Sequence, residues 1–293
     1  MLTTSCESSH KAVRCVARHL AVPSRHVVPT PTRACPGTAP RPLTTGRKDT
    51  TLTATAGTLE ARVLSPLVVA GLTTLSTVDW PGRLVATVYL QGCPWRCTYC
   101  HNPDLVTAPP RGAQGAIPWT DVLAFLTEHP GPLDGVVFSG GEPTLQAALP
   151  AAIADVRALG LGVGLHTGGA WPVRLEHVLP LVDWVGLDIK DLPDQYARVT
   201  GAGPSGEAAY RSLATLQRSG VPHEVRTTVD PTVHSRHDVL ELCGQLSAMG
   251  VRGHVLQEAR GVGADPAYAA ALAGRRLSDV LHDDDLPLTR RRT

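Results

Sequence analysis

"LVATVYLQGCPWRCTYCHNP", residues 84–103, carries a short, largely apolar, β-branched segment straight into three cysteines at positions 93, 97 and 100. A segment of that length and composition reads as a buried strand, and Gln91 and Gly92 mark where it ends. The same design recurs down the chain. Apolar runs at 135–138, 162–166, 184–189, 224–229 and 254–257 lead into "SGGEP", "HTGG", "DIKD", "TTVDP" and "QEARG". Helical periodicity fills the intervals at 119–129, 145–159, 173–179, 207–219 and 237–249. Six strands alternating with longer helical stretches predict β/α units around a parallel sheet, and the near-continuous apolar strands predict helices over both faces. Thr120 and Ser205 are the expected N-caps, and the dipeptides "SG" at 219 and "MG" at 249 the expected helix stops.

In such sheets reactive groups gather beyond the C-terminal ends of the strands. Every chemically unusual stretch here falls at one of those ends, so the pattern predicts one shared site.

The rest of the chain bounds the reading. With 293 residues, 43% of them apolar and 18% charged, it has enough material for a substantial core. A formal charge of +1 gives no global field that would favour nucleic acid or an anionic membrane. No run of eighteen apolar residues occurs, so no span of a bilayer is expected. Seven cysteines, an odd number with three crowded together, argue against a disulfide framework and for a reducing, cytoplasmic setting. Residues 1–65 are rich in Thr, Pro, Ser and Arg and lack apolar periodicity. They are expected to be disordered: a basic, acid-poor targeting segment, or an extension produced by a start assigned too far upstream. Residues 66–280 form the expected folded domain, and 281–293 a charged tail.

Spacings of three and two residues let one irregular loop wrap Cys93, Cys97 and Cys100 around a compact inorganic centre, as iron–sulfur clusters are held. Three ligands leave one metal position open, the mark of a chemically active site. Two alternatives stand beside this: a zinc site completed by His101, and three reduced thiols with no metal. Paired glycines in "SGGEP" allow backbone to approach a ligand closely, although an ordinary tight turn would use them as well.

"CPWRCTYC" resembles the Cys-x3-Cys-x2-Cys motif of radical S-adenosylmethionine enzymes, including an aromatic, Tyr99, before the third cysteine. The wider context "TVDWPGRLVATVYLQGCPWRCTYCHNPDLV" with "FSGGEPTLQ" resembles the activating proteins of anaerobic ribonucleoside-triphosphate reductase, over about residues 68–260. The resemblance implies a partial (β/α)6 TIM-like barrel with a [4Fe–4S] cluster on Cys93, Cys97 and Cys100 and S-adenosylmethionine on the fourth iron. It implies that Gly140, Gly141 and Glu142 receive the methionine ammonium, and that Asp188 and Lys190 bind the ligand's carboxylate and ribose. Tyr99 would contact adenine, His166 and Thr167 the ribose or methionine portion, Gln257 ribose or adenine, and Arg226 the carboxylate or substrate backbone.

The implied reaction is reductive cleavage of S-adenosylmethionine, with an electron from a flavodoxin or ferredoxin, to a 5′-deoxyadenosyl radical. That radical would take a hydrogen atom from a glycine of the partner reductase, at a surface supplied by "HNPDLV" and by the loop carrying Trp171. Two competing functions are a radical enzyme acting on a small molecule, in the manner of 7-carboxy-7-deazaguanine synthase, and a non-catalytic metal-binding module. "SGGEP" at the next strand end speaks against the second of these. Cys243 is expected to be a core thiol, and Cys6, Cys15 and Cys35 to have no ligand role.

Overall fold

A computed structural model describes residues 66–110, 112–128, 131, 133–285 and the backbone of 290–292. The expectations for residues 1–65 and for most of the charged tail lie outside the described residues.

Eight strands form one sheet in sequential order: β1 (Val69–Ser76), β2 (Val85–Leu90), β3 (Gly135–Gly140), β4 (Gly162–Thr167), β5 (Trp184–Asp188), β6 (His223–Val229), β7 (Val255–Glu258) and β8 (Arg290–Arg292). β1 runs antiparallel to β2, and every later pair is parallel. The helices α1 (Trp119–Glu128), α2 (Leu149–Ala158), α3 (Pro172–Val178), α4 (Tyr196–Thr200), α5 (Ser205–Ser219), α6 (Arg236–Ala248) and α7 (Pro266–Leu272) follow β2 to β7 in turn. Six β/α units in sequential strand order make the partial (β/α)6 TIM-like barrel. Four elements had no expectation behind them. β1 mixes glycine and threonine among its apolar residues, β8 is three arginines, and α4 and α7 are short helices of five and seven residues.

The cross-strand register sorts side chains into two faces. Ala86, Val88, Val136, Phe138, Val163, Leu165, Val185, Leu187 and Val225 share one face, where they join Val122, Leu126, Ile153, Leu175, Leu213 and Leu242 of the helices in a single buried cluster. The opposite face carries Thr87, Ser139, His166, Trp184, Asp188, Glu224 and Arg226. Helices over both faces are therefore not what the apolar strands produce. Curvature turns one face inward, and that face is polar.

The turn between β1 and β2 floors the interior. Trp80-Pro81-Gly82-Arg83 closes with Arg83 N donating to Trp80 O at 3.0 Å, and Gly82 has φ 76°, as the third position of a type II turn requires. Trp80 stacks on Trp184, with ring centroids 5.8 Å apart. Gly162 and Gly164 leave the space its ring occupies, since a Cβ on Gly164 would lie 3.0 Å from it.

The predicted caps differ from the observed ones. Thr120 lies inside α1, and the Ser205 hydroxyl pairs with Thr200 at 2.8 Å, so neither caps a helix. The capping box belongs to Ser235 and Asp238 at the start of α6. The two stops do hold: Gly220 ends α5 with φ 73°, and Gly250, with φ 83°, follows α6. No helix among the described residues is long and apolar enough to cross a membrane.

Leu165 is fully buried between β4 and the helix layer. Leu165→Ala is expected to cost about 3 kcal/mol of stability, the usual range for a core cavity, measured by urea unfolding.

Candidate active site

The C-terminal ends of β2 and β3 meet through backbone. Gly141 N donates to Leu90 O at 2.9 Å and Glu142 N to Gly92 O at 2.8 Å. This approach leaves no room for side chains. A Cβ on Gly140, where φ is 109°, would lie 2.3 Å from Leu90 N, and one on Gly141 would lie 2.3 Å from Gly92 O. "SGGEP" is thus a seam that sets the cysteine loop against β3.

The loop is anchored along its length. Gly92 N and Cys93 N donate to Leu105 O and Val106 O at 2.7 and 3.1 Å, so part of "HNPDLV" serves to hold the first cysteine. Arg96 N and Thr98 N donate to Thr200 O and Val199 O of α4, and Cys100 N to Cys97 O. Trp95 is buried and meets the Tyr196 ring edge-on at 5.7 Å. Burial pushes the Cys93 thiol up to about 12 and raises Cys97 as well. These thiols keep their protons until a metal centre displaces them.

Glu142 is buried and accepts four hydrogen bonds. Oε1 takes Thr144 N, Thr144 Oγ1 and Thr167 Oγ1 at 3.2, 2.6 and 2.7 Å, and Oε2 takes Gly168 N at 2.9 Å. Its charge ties the end of β3 to the end of β4, and Oε2 retains capacity for a further donor. Thr167 and His166 divide between the two faces. The Thr167 hydroxyl is engaged by Glu142 and by Gly169 N, whereas His166 points into the barrel.

His166 Nε2 lies 2.7 Å from the Asp79 carbonyl oxygen, which puts the ring proton there and leaves Nδ1 to accept from Ser139 Oγ at 3.3 Å. Burial, aided by the Arg226 guanidinium, lowers its pKa to about 4.

Asp188 sits between two cations: Arg226 Nε at 2.8 Å from Oδ1 and Lys190 Nζ at 3.6 Å from Oδ2. Burial alone would raise Asp188, but Arg226 and Lys190 overcome it and hold the carboxyl below its usual range. Gly186 makes room for the guanidinium, because a Cβ there would lie 2.9 Å from Arg226 Cζ. Lys190 is buried, with Nζ 5.5 Å from the Tyr99 ring centroid and 6.0 Å from that of Trp95. The Tyr99 hydroxyl is buried without a hydrogen-bond partner. Gln257 lies on the inner face in register with Thr228.

His101, the fourth ligand of the alternative zinc site, lies with its Nδ1 3.2 Å from Val262 O. Trp171 is half-buried at the start of α3, with the Arg174 guanidinium 5.0 Å over its ring, so the tip of that loop is less exposed than its sequence suggested. Sequence reasoning missed Thr98 and Asp230, whose hydrogen bond reaches across the fold and leaves no local spacing signal, and Tyr196, whose hydroxyl accepts from Lys190 N at 3.0 Å.

The donor set fits a cluster: three soft thiols on one anchored loop, an orphaned Tyr99 hydroxyl beside them, and a cation and carboxylate close by. The profile of the radical SAM superfamily matches residues 87–243. The chain is 31% identical over 181 residues, 59% of its own length and 73% of the relative's, to a protein of Methanocaldococcus jannaschii provisionally named a glycyl-radical enzyme activating enzyme. It is 33% identical over 167 residues to the pyruvate formate-lyase-activating enzyme of Clostridium pasteurianum, covering 54% of this chain and 67% of that one. Among solved structures, QueE from Escherichia coli overlays with a TM-score of 0.45 at 19% identity, covering 66% of this chain and 84% of QueE. SuiB from Streptococcus suis bound to S-adenosylmethionine overlays with a TM-score of 0.46 at 14% identity, covering 57% and 38%.

Glu142→Gln would set an amide NH2 against a hydrogen-bond donor, and is expected to lose roughly 2 kcal/mol in urea unfolding. His254, which burial likewise lowers to about 4, and His166 both stay neutral in the fold. The unfolded chain therefore binds more protons from about pH 6.5 down to about pH 4, and stability falls as pH is lowered through that window. The urea midpoint of His254→Asn should fall less steeply over the same range.

Proposed function

The chain belongs to the radical SAM superfamily, whose members use a [4Fe–4S] cluster and S-adenosylmethionine, and we propose that it installs a glycyl radical on anaerobic ribonucleoside-triphosphate reductase. The observation that carries this reading is the similarity to activating enzymes of glycyl-radical proteins. The stretch "TVDWPGRLVATVYLQGCPWRCTYCHNP" points to the reductase as the particular partner.

Bound together and given one electron, by a flavodoxin or ferredoxin in this proposal, the cluster and S-adenosylmethionine supply a 5′-deoxyadenosyl radical. The protein's own residues bind and orient. Cys93, Cys97 and Cys100 would hold three irons. Glu142 Oε2 and the backbone at Gly140 and Gly141 would receive the methionine ammonium. Lys190, already charged and buried beside Tyr99, would take the carboxylate, and Asp188 the ribose. Arg226 holds Asp188 in place from β6, so its first duty is positional. Tyr99 would offer its ring to adenine, and His166, Thr167 and Gln257 line the approach. Thr167 does so indirectly, through Glu142. The aromatic floor of Trp80 and Trp184 closes the far end of the interior and helps exclude water.

The test is anaerobic reconstitution with iron and sulfide, then reduction in the presence of S-adenosylmethionine. 5′-Deoxyadenosine is expected from the parent and not from Cys97→Ala; none from the parent with an intact cluster would overturn the reading. Adding the reductase should give a glycine-centred radical by electron paramagnetic resonance, and no signal there alongside one with pyruvate formate-lyase would reassign the partner. Lys190→Ala is expected to raise the KM for S-adenosylmethionine about tenfold or more, the loss of one charge-assisted hydrogen bond.

A further inference from the structure

We propose that Asp230, at the end of β6, is a positioning residue for the cluster loop, acting through the Thr98 hydroxyl that lies between Cys97 and Cys100. Thr98 Oγ1 donates to Asp230 Oδ2 at 2.6 Å, the short length of a hydroxyl bonded to a carboxylate. The carboxylate is itself immobilised. Oδ1 accepts Thr232 N at 2.8 Å, Thr232 Oγ1 at 2.7 Å and the Tyr268 hydroxyl at 3.1 Å, and Asp230 N donates to His234 Nδ1 at 2.9 Å. Asp230 is fully buried, and Pro231 restricts its backbone.

The division of labour between the two oxygens carries the argument. Three donors occupy Oδ1, and the hydrogen bond from the cluster loop falls on Oδ2. A buried carboxylate oxygen needs a donor, and Thr98 provides it from the one loop whose geometry the thiols depend on. The main-chain bonds to α4 fix where the loop runs, through Arg96 N and Thr98 N. The Thr98 side chain fixes how the segment between Cys97 and Cys100 is rotated, and hence where those two sulfurs point. The neighbouring wall is braced as well. Arg198 of α4 is held by Asp191 at 2.6 and 3.1 Å and approaches Asp238 of α6 at 3.3 Å. The loop is thus held both by α4 and by β6 with α7.

This inference rests on the three cysteines holding a cluster, and the test separates the two. Parent, Thr98→Val, Thr98→Ser, Asp230→Asn and the Thr98→Val/Asp230→Asn double variant are reconstituted anaerobically with iron and sulfide. Each is then challenged with an iron chelator, and cluster loss is followed by absorbance, with the reduced-state electron paramagnetic resonance spectrum recorded in parallel. The valine variant is expected to lose iron several-fold faster and to show shifted g-values, while the serine variant, which keeps the hydroxyl, behaves as the parent. Asp230→Asn should follow the valine variant, and the double variant should lose iron no faster than either single one. A parental rate and spectrum for Thr98→Val, a serine variant as fast as valine, or additive effects in the double variant would each overturn the proposal. If Thr98→Val fails to fold by circular dichroism, Tyr268→Phe decides, because it leaves every atom of the cysteine loop in place: accelerated loss supports the anchor and a parental rate overturns it. A parent that takes up no cluster would overturn the cluster reading itself.

Discussion

The close approach of two backbones where β2 and β3 end is the constraint on which the rim of the barrel depends. Gly141 N and Glu142 N reach Leu90 O and Gly92 O only because positions 140 and 141 carry no Cβ. From that contact follows the placement of Cys93 one residue on, and of the Glu142 carboxylate that gathers donors from Thr144, Thr167 and Gly168. Sheet hydrogen bonds set the strands side by side. The glycine seam turns that neighbourhood into a site, by bringing the first thiol and the first buried charge into one fixed relation.

Electrostatics inside the barrel follow from the separation of faces. The outer face buries its apolar residues under helices, while the inner face gathers His166, Asp188 and Arg226 where water is scarce. Charges there persist in pairs: Asp188 stays ionised between Arg226 and Lys190, and His166 stays neutral because burial and the nearby Arg226 outweigh its hydrogen bond to the Asp79 carbonyl, which favours the protonated ring. The network leaves a buried cation, Lys190, between two aromatic rings next to the cysteines. Glu142 and Lys190 thus place a buried carboxylate and a buried ammonium at the ends of β3 and β5.

What the sequence disclosed, and what it withheld, divides by range. Parallel strands announce themselves through short apolar runs, and residues at their ends through local oddity, so the six β/α units, the thiols, "SGGEP" and the Asp188–Lys190 pair were legible. The faces of the sheet were not, because Val136 and Val137 take opposite faces of β3, glycine rather than a polar residue fills the inner positions 162, 164 and 186, and curvature has no local code. Thr120 and Ser205 satisfied the compositional rule for caps, yet the Ser205 hydroxyl is held by Thr200. Thr98 and Asp230 stand 132 positions apart, and nothing in the spacing of either hints at the other.

His166 and Thr167 are consecutive, yet one belongs to the polar interior and the other to the buried carboxylate that joins β3 to β4. Because a strand alternates, sliding β4 by a single residue would exchange their faces, turning the imidazole toward the helices and the hydroxyl into the interior. The strand is therefore held in register by chemistry at both of its faces. Neighbouring codons answer to different demands, and an insertion or deletion in the preceding loop can be absorbed only if the phase of this one dipeptide survives.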